Sequence, residues 1–306
     1  DCTQRLQDLH IFSTEGREWT VPHVVHENNT RPSRREAHAC TVVGSTGMLV
    51  HGGRGAEVYK DCWMLRLLDS TGRLRWRRMH SVGDVDAPGA RCDHTMNIVQ
   101  PNRVLLFGGR TCLRARAVGD QKYLTVDALL YEGTILSDSE IEWQQPQTAG
   151  TLPSPRYGHA AAIIRNKLFV FGGCRLKNQS PLLMNDLHVL DINTYEWTRM
   201  QAKGGGMKPW PTARESHSLT AVATRLFLFG GWSGTKANPW LNDLWCWDTR
   251  AHPDEATWTL LSVFDDSPIA PAPRHGHVAV ALDLAELNPS QCTAEGEGLT
   301  SVEAGA

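Results

Sequence analysis

Residues 154–173 read SPRYGHAAAIIRNKLFVFGG: two unbroken apolar runs, AAAII and LFVF, joined by RNK and closed by paired glycines. Side chains of a strand alternate between its two faces, so a hairpin with one wet face alternates apolar with polar residues. Runs without that alternation describe strands buried on both sides. The stretch therefore predicts a small sheet held between two other layers, which the rest of the chain must supply.

It supplies them by repetition. Four other segments open alike: RREAHACTVV from Arg34, RCDHTMNIV from Arg91, RESHSLTAV from Arg214 and RHGHVAVAL from Arg274. The shared Arg-x-x-His pairs are Arg35/His38, Arg91/His94, Arg156/His159, Arg214/His217 and Arg274/His277, with arginines 56, 65, 58 and 60 residues apart. Four of the five run on into an apolar strand and two glycines: Gly52 and Gly53, Gly108 and Gly109, Gly172 and Gly173, Gly230 and Gly231. Next come YKDCWMLRL, MNDLHVLDI and LNDLWCWDT, followed by Trp76, Trp197 and Trp258; the second repeat is looser, with VDALLYEGT and Trp143.

Each repeat parses as four short strands: after Arg-x-x-His, before Gly-Gly, after the Asp-Leu signal, and around the tryptophan. Such a unit cannot bury both faces alone, so neighbours must stack, and a radial arrangement leaves only short, protected edges. The glycines are expected where a strand end needs positive φ or close backbone approach. Asp186 and Asp243, each after an asparagine, are expected to hold turns by bonding nearby backbone. The tryptophans are expected between adjacent units. The five aligned histidines recur once per repeat, so symmetry spreads them around a ring, in structural hydrogen bonds, and does not gather them on one metal.

Together these features resemble the kelch repeat, and the chain is similar to kelch β-propellers over about residues 5–283. The resemblance implies an all-β fold: a kelch-type β-propeller with four complete blades, at about 34–76, 91–143, 156–197 and 214–258, plus a split or incomplete terminal blade. Residues 1–19 match only the second half of a repeat, with Leu6-Gln7-Asp8-Leu9 and Trp19, and residues 274–283 match only a first strand. Either the ring closes imperfectly with five blades or the sequence is a piece of a larger ring; the second is the expectation. Residues 1–283 form the propeller on this reading, and 284–306, without Lys or Arg, are expected to be a disordered tail.

Net charge is −2, which argues against a broad nucleic-acid footprint. Arginine outnumbers lysine 24 to 7, and its planar fork of donors suits carboxylates and aromatic faces. The eight cysteines show no CxxC or zinc-ligand spacing, so reduced thiols in an intracellular, cytoplasmic protein are expected. No apolar stretch approaches the roughly 18 residues of a membrane span.

No catalytic, cofactor or metal residues are assigned. Galactose-oxidase-like propellers need a Tyr–Cys pair that cannot be singled out among the five tyrosines. The iron motif of plant specifier proteins is matched at Glu57 and Asp61 but has Leu65 in place of its histidine. The alternative of a sugar-directed or metal-dependent propeller enzyme stays open. In kelch propellers the connection after Gly-Gly helps to line one mouth of the ring. Here it carries Arg54, Arg110, Arg175, Trp232 and Ser233, with Arg114 and Trp240 in the two loops that break the repeat length. Arginines beside aromatics suit a partner protein or peptide with acidic or carboxylate-ended segments. A scaffold or substrate-recognition subunit is the resulting expectation. The Arg-x-x-His arginines are instead expected to tie loops to carbonyls or to the Asn-Asp turn.

Overall fold

The structure, a computed structural model, describes residues 5–14, 16–25, 30–69, 72–83, 87–112, 124–178, 180–201, 209–237, 239–250, 257–263 and 271–281. The tail at 284–306 and Arg114 lie outside them. All regular structure among the described residues is strand.

Four antiparallel meanders follow one another along the chain. Blade 1 is Ala39–Val43, Gly47–His51, Cys62–Leu67 and Leu74–Val82; blade 2 is Thr95–Gln100, Arg103–Phe107, Leu130–Ser137 and Glu140–Gln144. Blade 3 is Ala160–Ile164, Lys167–Phe171, Leu187–Asp191 and Glu196–Met200; blade 4 is Ser218–Val222, Arg225–Trp232, Trp240–Asp248 and Trp258–Val263. The first strands of successive blades lie side by side, joined by bonds such as Asn97 Nδ2 to Ala161 O (3.1 Å). This is the β-propeller, with first strands innermost.

The two-faced burial of LFVF now has its cause. Leu168 and Val170 pack toward blade 2, with Leu105, Phe107 and Leu130. Phe169 and Phe171 pack toward blade 4, with Leu226, Leu228 and Trp247. A third cluster joins blades 1 and 2 through Leu49, Met64, Val104 and Leu106. Polar residues would be stranded on either face, so the run carries none until the turn.

Blades 1, 2 and 3 each gain an edge strand from the segment that leads into them. Val24–Val25 runs parallel to Leu74–Arg75, His80–Val82 parallel to Glu140–Glu142, and Ala149–Gly150 parallel to Glu196–Trp197. These clasps cover outer edges that would otherwise expose unpaired N–H and C=O groups. The four-strand parsing did not foresee them.

At the N-terminal side, a hairpin of Ile11–Ser13 and Glu18–Thr20 precedes blade 1. Leu6 O accepts a bond from Arg35 N (3.2 Å), as Tyr59 O does from Arg91 N, Met184 O from Arg214 N and Leu241 O from Arg274 N. Residues 6–20 thus occupy the place of a blade's third and fourth strands. At the other end, Ala279 O accepts from Thr220 Oγ1 (3.2 Å), setting residues 277–281 beside the innermost strand of blade 4.

Candidate functional site

The repeated residues make the joints of the ring. Arg156 is fully buried and bonds Ser154 O (3.1 Å), Gly172 O (3.0 Å) and both carboxylate oxygens of Asp186 (2.9 and 3.0 Å). Arg35 treats Gly52 O and Asp61 alike, and Arg214 treats Gly230 O and Asp243 alike. In the looser second repeat Arg91 reaches Asp127 at 3.3 Å. Arg274 bonds Ala272 O. Asp186 and Asp243, expected to bond backbone, receive these guanidinium forks. Each also takes a bond from the residue two places on, His188 Nε2 at 3.0 Å and Trp245 Nε1 at 2.6 Å. The sequence carries this pattern as Asp-x-Trp or Asp-x-His at Asp61/Trp63, Asp186/His188 and Asp243/Trp245.

Each aligned histidine packs edge-on against the aromatic residue before Gly-Gly of the preceding blade: His94 on His51, His159 on Phe107, His217 on Phe171 and His277 on Phe229, with centroids 5.1–5.5 Å apart. His38 is exposed and opens the series, its Cβ lying 2.9 Å from where a Gly53 side chain would begin. Burial pushes the pKa of His159 down to about 3 and that of His217 well below its usual value, so both rings are neutral at physiological pH. Trp143, Trp197 and Trp258 rest on the same preceding residues, His51, Phe107 and Phe171. Trp76 is only partly buried, since no Gly-Gly strand precedes blade 1 in the described chain. Gly172 and Gly173 have φ of 61° and 92°, and a side chain on Gly172 would meet Arg214 O at 2.8 Å. That crowding reflects the bond from Gly173 N to Arg214 O (2.8 Å), repeated at Gly53, Gly109 and Gly231.

One open run of bonds passes through the second residue after each arginine. Asp93 N donates to Ala37 O, Gly158 N to Asp93 O, Ser216 N to Gly158 O and Gly276 N to Ser216 O, at 2.8–2.9 Å. All five residues are left-handed, a conformation that costs ~1 kcal/mol or more for non-glycine residues and persists where the surroundings fix it.

The residues between the repeated ones form the candidate site. The position after each arginine pairs with the position after Gly-Gly: Glu36 with Arg54, Cys92 with Arg110, Tyr157 with Cys174 and Glu215 with Trp232. Side chains from four blades are thus collected at one end of the propeller. Arg54 Nε bonds Glu36 Oε1 at 2.8 Å. Arg110 is ion-paired with Asp93 and sets its guanidinium carbon over the Tyr157 ring of the next blade, 4.7 Å from the centroid. Glu215 of blade 4 lies over Gly158, where a side chain would come within 3.1 Å of Oε2. Burial raises its pKa to about 7, Arg110 opposing and Asp93 assisting. Trp232 is half-buried, and Trp240, its partner across the strand pair, is 51% exposed. Ser233 Oγ bonds Thr235 Oγ1 (3.0 Å).

Arg175 stands apart from that cluster. It lines a cavity of about 350 Å³ on blade 3 with Arg199, His188 and Asp186, bounded by the hairpin Cys174–Lys177/Ser180–Leu183.

Among the described residues no three His, Cys, Asp or Glu side chains gather as metal ligands, and no helix is long and apolar enough to cross a membrane. Cys40, Cys62, Cys92, Cys174 and Cys246 form no disulfide.

A family model described as the KLHDC2/KLHL20/DRC7 Kelch-repeats domain matches residues 1–131 and 119–285. Kelch domain-containing protein 2 of Bos taurus is 30% identical over 295 residues, 92% of this chain and 66% of that protein. Host cell factor 1 of Homo sapiens is 27% identical over 301 residues, 91% of this chain and 14% of that protein. The chain thus spans less than two thirds of the length of either relative. A solved structure described as that of YjhT superposes with a TM-score of 0.55 at 14% identity, covering 82% of this chain and 70% of that one, and shows the shared fold.

Proposed function

Because the chain belongs to the kelch-repeat family, we propose that it is a protein-interaction module whose docking end is the cluster just described. The observation that carries this reading is the cross-blade assembly of Arg54, Arg110, Tyr157, Glu215, Trp232 and Trp240. These charged and aromatic side chains, contributed by four blades, are not needed to close the joints. Single-blade features would be matters of local packing; a cluster gathered from four blades offers a surface wide enough for a peptide.

The partner segment is acidic or ends in a carboxylate. Arg110 keeps its guanidinium over the Tyr157 ring and its fork toward Asp93, a preorganised donor whose bonds to a second carboxylate are charge-assisted. Arg54 is held by the partly exposed Glu36, and exposed pairs of this kind cost only ~1 kcal/mol or less to exchange. Trp240, paired with Trp232 on blade 4, supplies exposed apolar area. The chain serves on this reading as scaffold or substrate-recognition subunit.

Panning a random peptide library with free C-termini against the purified chain tests this. Acidic or carboxylate-ended sequences should be enriched, and the Arg54→Ala/Arg110→Ala variant should bind them about tenfold or more weakly. Its thermal midpoint should stay near that of the parent. Enrichment of basic sequences, or unchanged binding by a folded variant, would overturn the reading.

A further inference from the structure

The cavity on blade 3 has a composition that the docking end does not share. Arg175 Nε is buried and makes no hydrogen bond, and the residue pairs with Leu182 across its hairpin, so its fork is held against the cavity wall. Arg199, on the outer strand opposite His188, brings a second guanidinium. His188 is buried with Nδ1 3.1 Å from Thr151 O and Nε2 3.0 Å from Asp186 Oδ2, so both edges of its ring are occupied. Asp186, the one carboxylate among the described lining residues, is already engaged on both oxygens by Arg156. Two arginines therefore face a space whose negative charge is already committed. Thr151, Ser154 and Asn185 also line it, Ser154 Oγ lying 3.5 Å from Met184 Sδ and Asn185 Nδ2 donating to Pro211 O (3.3 Å).

We propose that this cavity is a binding site for a phosphate-class oxyanion, carried on a phosphorylated side chain or on a free phosphate compound. A buried guanidinium edge without a partner is a costly arrangement that an anion relieves. Two guanidinium groups, with up to about ten N–H donors between them, match the several oxygens of a phosphate better than the two of a carboxylate. The proposal does not rest on the docking end, because Arg175 and Arg199 lie outside that cluster.

Isothermal titration of the purified chain at constant ionic strength tests it, with inorganic phosphate, a phosphoserine peptide and the same peptide carrying glutamate in that position. Phosphate and phosphopeptide should bind, and the glutamate peptide should bind about tenfold or more weakly than the phosphopeptide. Tighter binding of the phosphopeptide than of phosphate identifies a chain-borne group; equal binding identifies a free phosphate compound. Arg175→Ala and Arg199→Ala should each weaken binding about tenfold or more without lowering the thermal midpoint, since each removes a cation from a cationic site. The Arg54→Ala/Arg110→Ala variant should bind phosphate like the parent, so failure of one site is distinguishable from failure of the other. No phosphate binding, equal affinity for the glutamate peptide, or full binding by folded Arg175→Ala would each overturn the assignment.

Discussion

Asp186→Ala strikes the joint between blade 3 and its own glycine loop. Arg156 is 0% exposed, and two of its four hydrogen bonds go to Asp186. Burial alone pushes the Arg156 pKa down, and the Asp186 carboxylate opposes that. Removing the carboxylate leaves a buried cation with only carbonyls around it and deprives His188 of an acceptor, a loss of ~3–5 kcal/mol by the behaviour of broken buried pairs. Glu36→Ala removes the partly exposed partner of Arg54 and should cost less than ~1 kcal/mol. Urea titration followed by tryptophan fluorescence measures both. The difference should also depend on pH. Burial works to raise the Asp186 pKa, but the bonds from His188 and Arg156 outweigh it and hold the group well below the usual carboxylate range. A depressed folded pKa means that the stabilisation is full above that range and is lost as pH falls toward the folded value. The gap between parent and Asp186→Ala should therefore be constant near neutrality and narrow in acid. If the two alanine variants lose similar stability at pH 7, Arg156 is not the joint that its geometry implies.

Further outcomes follow from other parts of the structure. Trp197→Ala opens a void against Phe107 and His188 and should cost ~3–5 kcal/mol, whereas Trp240→Ala, at an exposed position, should leave stability within ~0.5 kcal/mol while weakening peptide capture. Glu215, with its pKa raised to about 7, is charged at a cost in the folded chain. Glu215→Gln should match the parent in acid and become progressively more stable than it as pH rises from the usual carboxylate range to about 7, which thermal scans across that interval would show.

Much of this fold can be read in the sequence because propeller blades repeat the same physical problem. LFVF must satisfy two neighbours at once, and no alternating pattern can do that. Gly-Gly marks the point where the next blade's Arg carbonyl comes too close for a side chain. The clasps were not legible: Val24–Val25 and Ala149–Gly150 are too short and too ordinary to announce themselves, and their parallel partners lie about 50 residues away. The site was legible only in part. Positions after Gly-Gly pointed to Arg54, Arg110 and Trp232, but the spacing could not tell that Glu36 and Asp93 would take the two arginines. Nor could it tell that Arg175, one residue further along than its counterparts, would turn toward a different cavity. Side chains alternate along a strand, so this one-residue shift turns Arg175 to the other face once Cys174 takes the pairing with Tyr157.

Repeated residues join the blades, and on the proposed function the residues between them meet a partner. Hydrogen–deuterium exchange with and without a library-selected acidic peptide tests that division directly. Amides at 36–37, 54–58, 157–158, 215–216 and 232–235 should gain protection, while those of Gly53, Gly109, Gly173 and Gly231 stay unchanged in their blade-to-blade bonds. Protection confined to the outer strands, or none at the post-glycine loops, would contradict it.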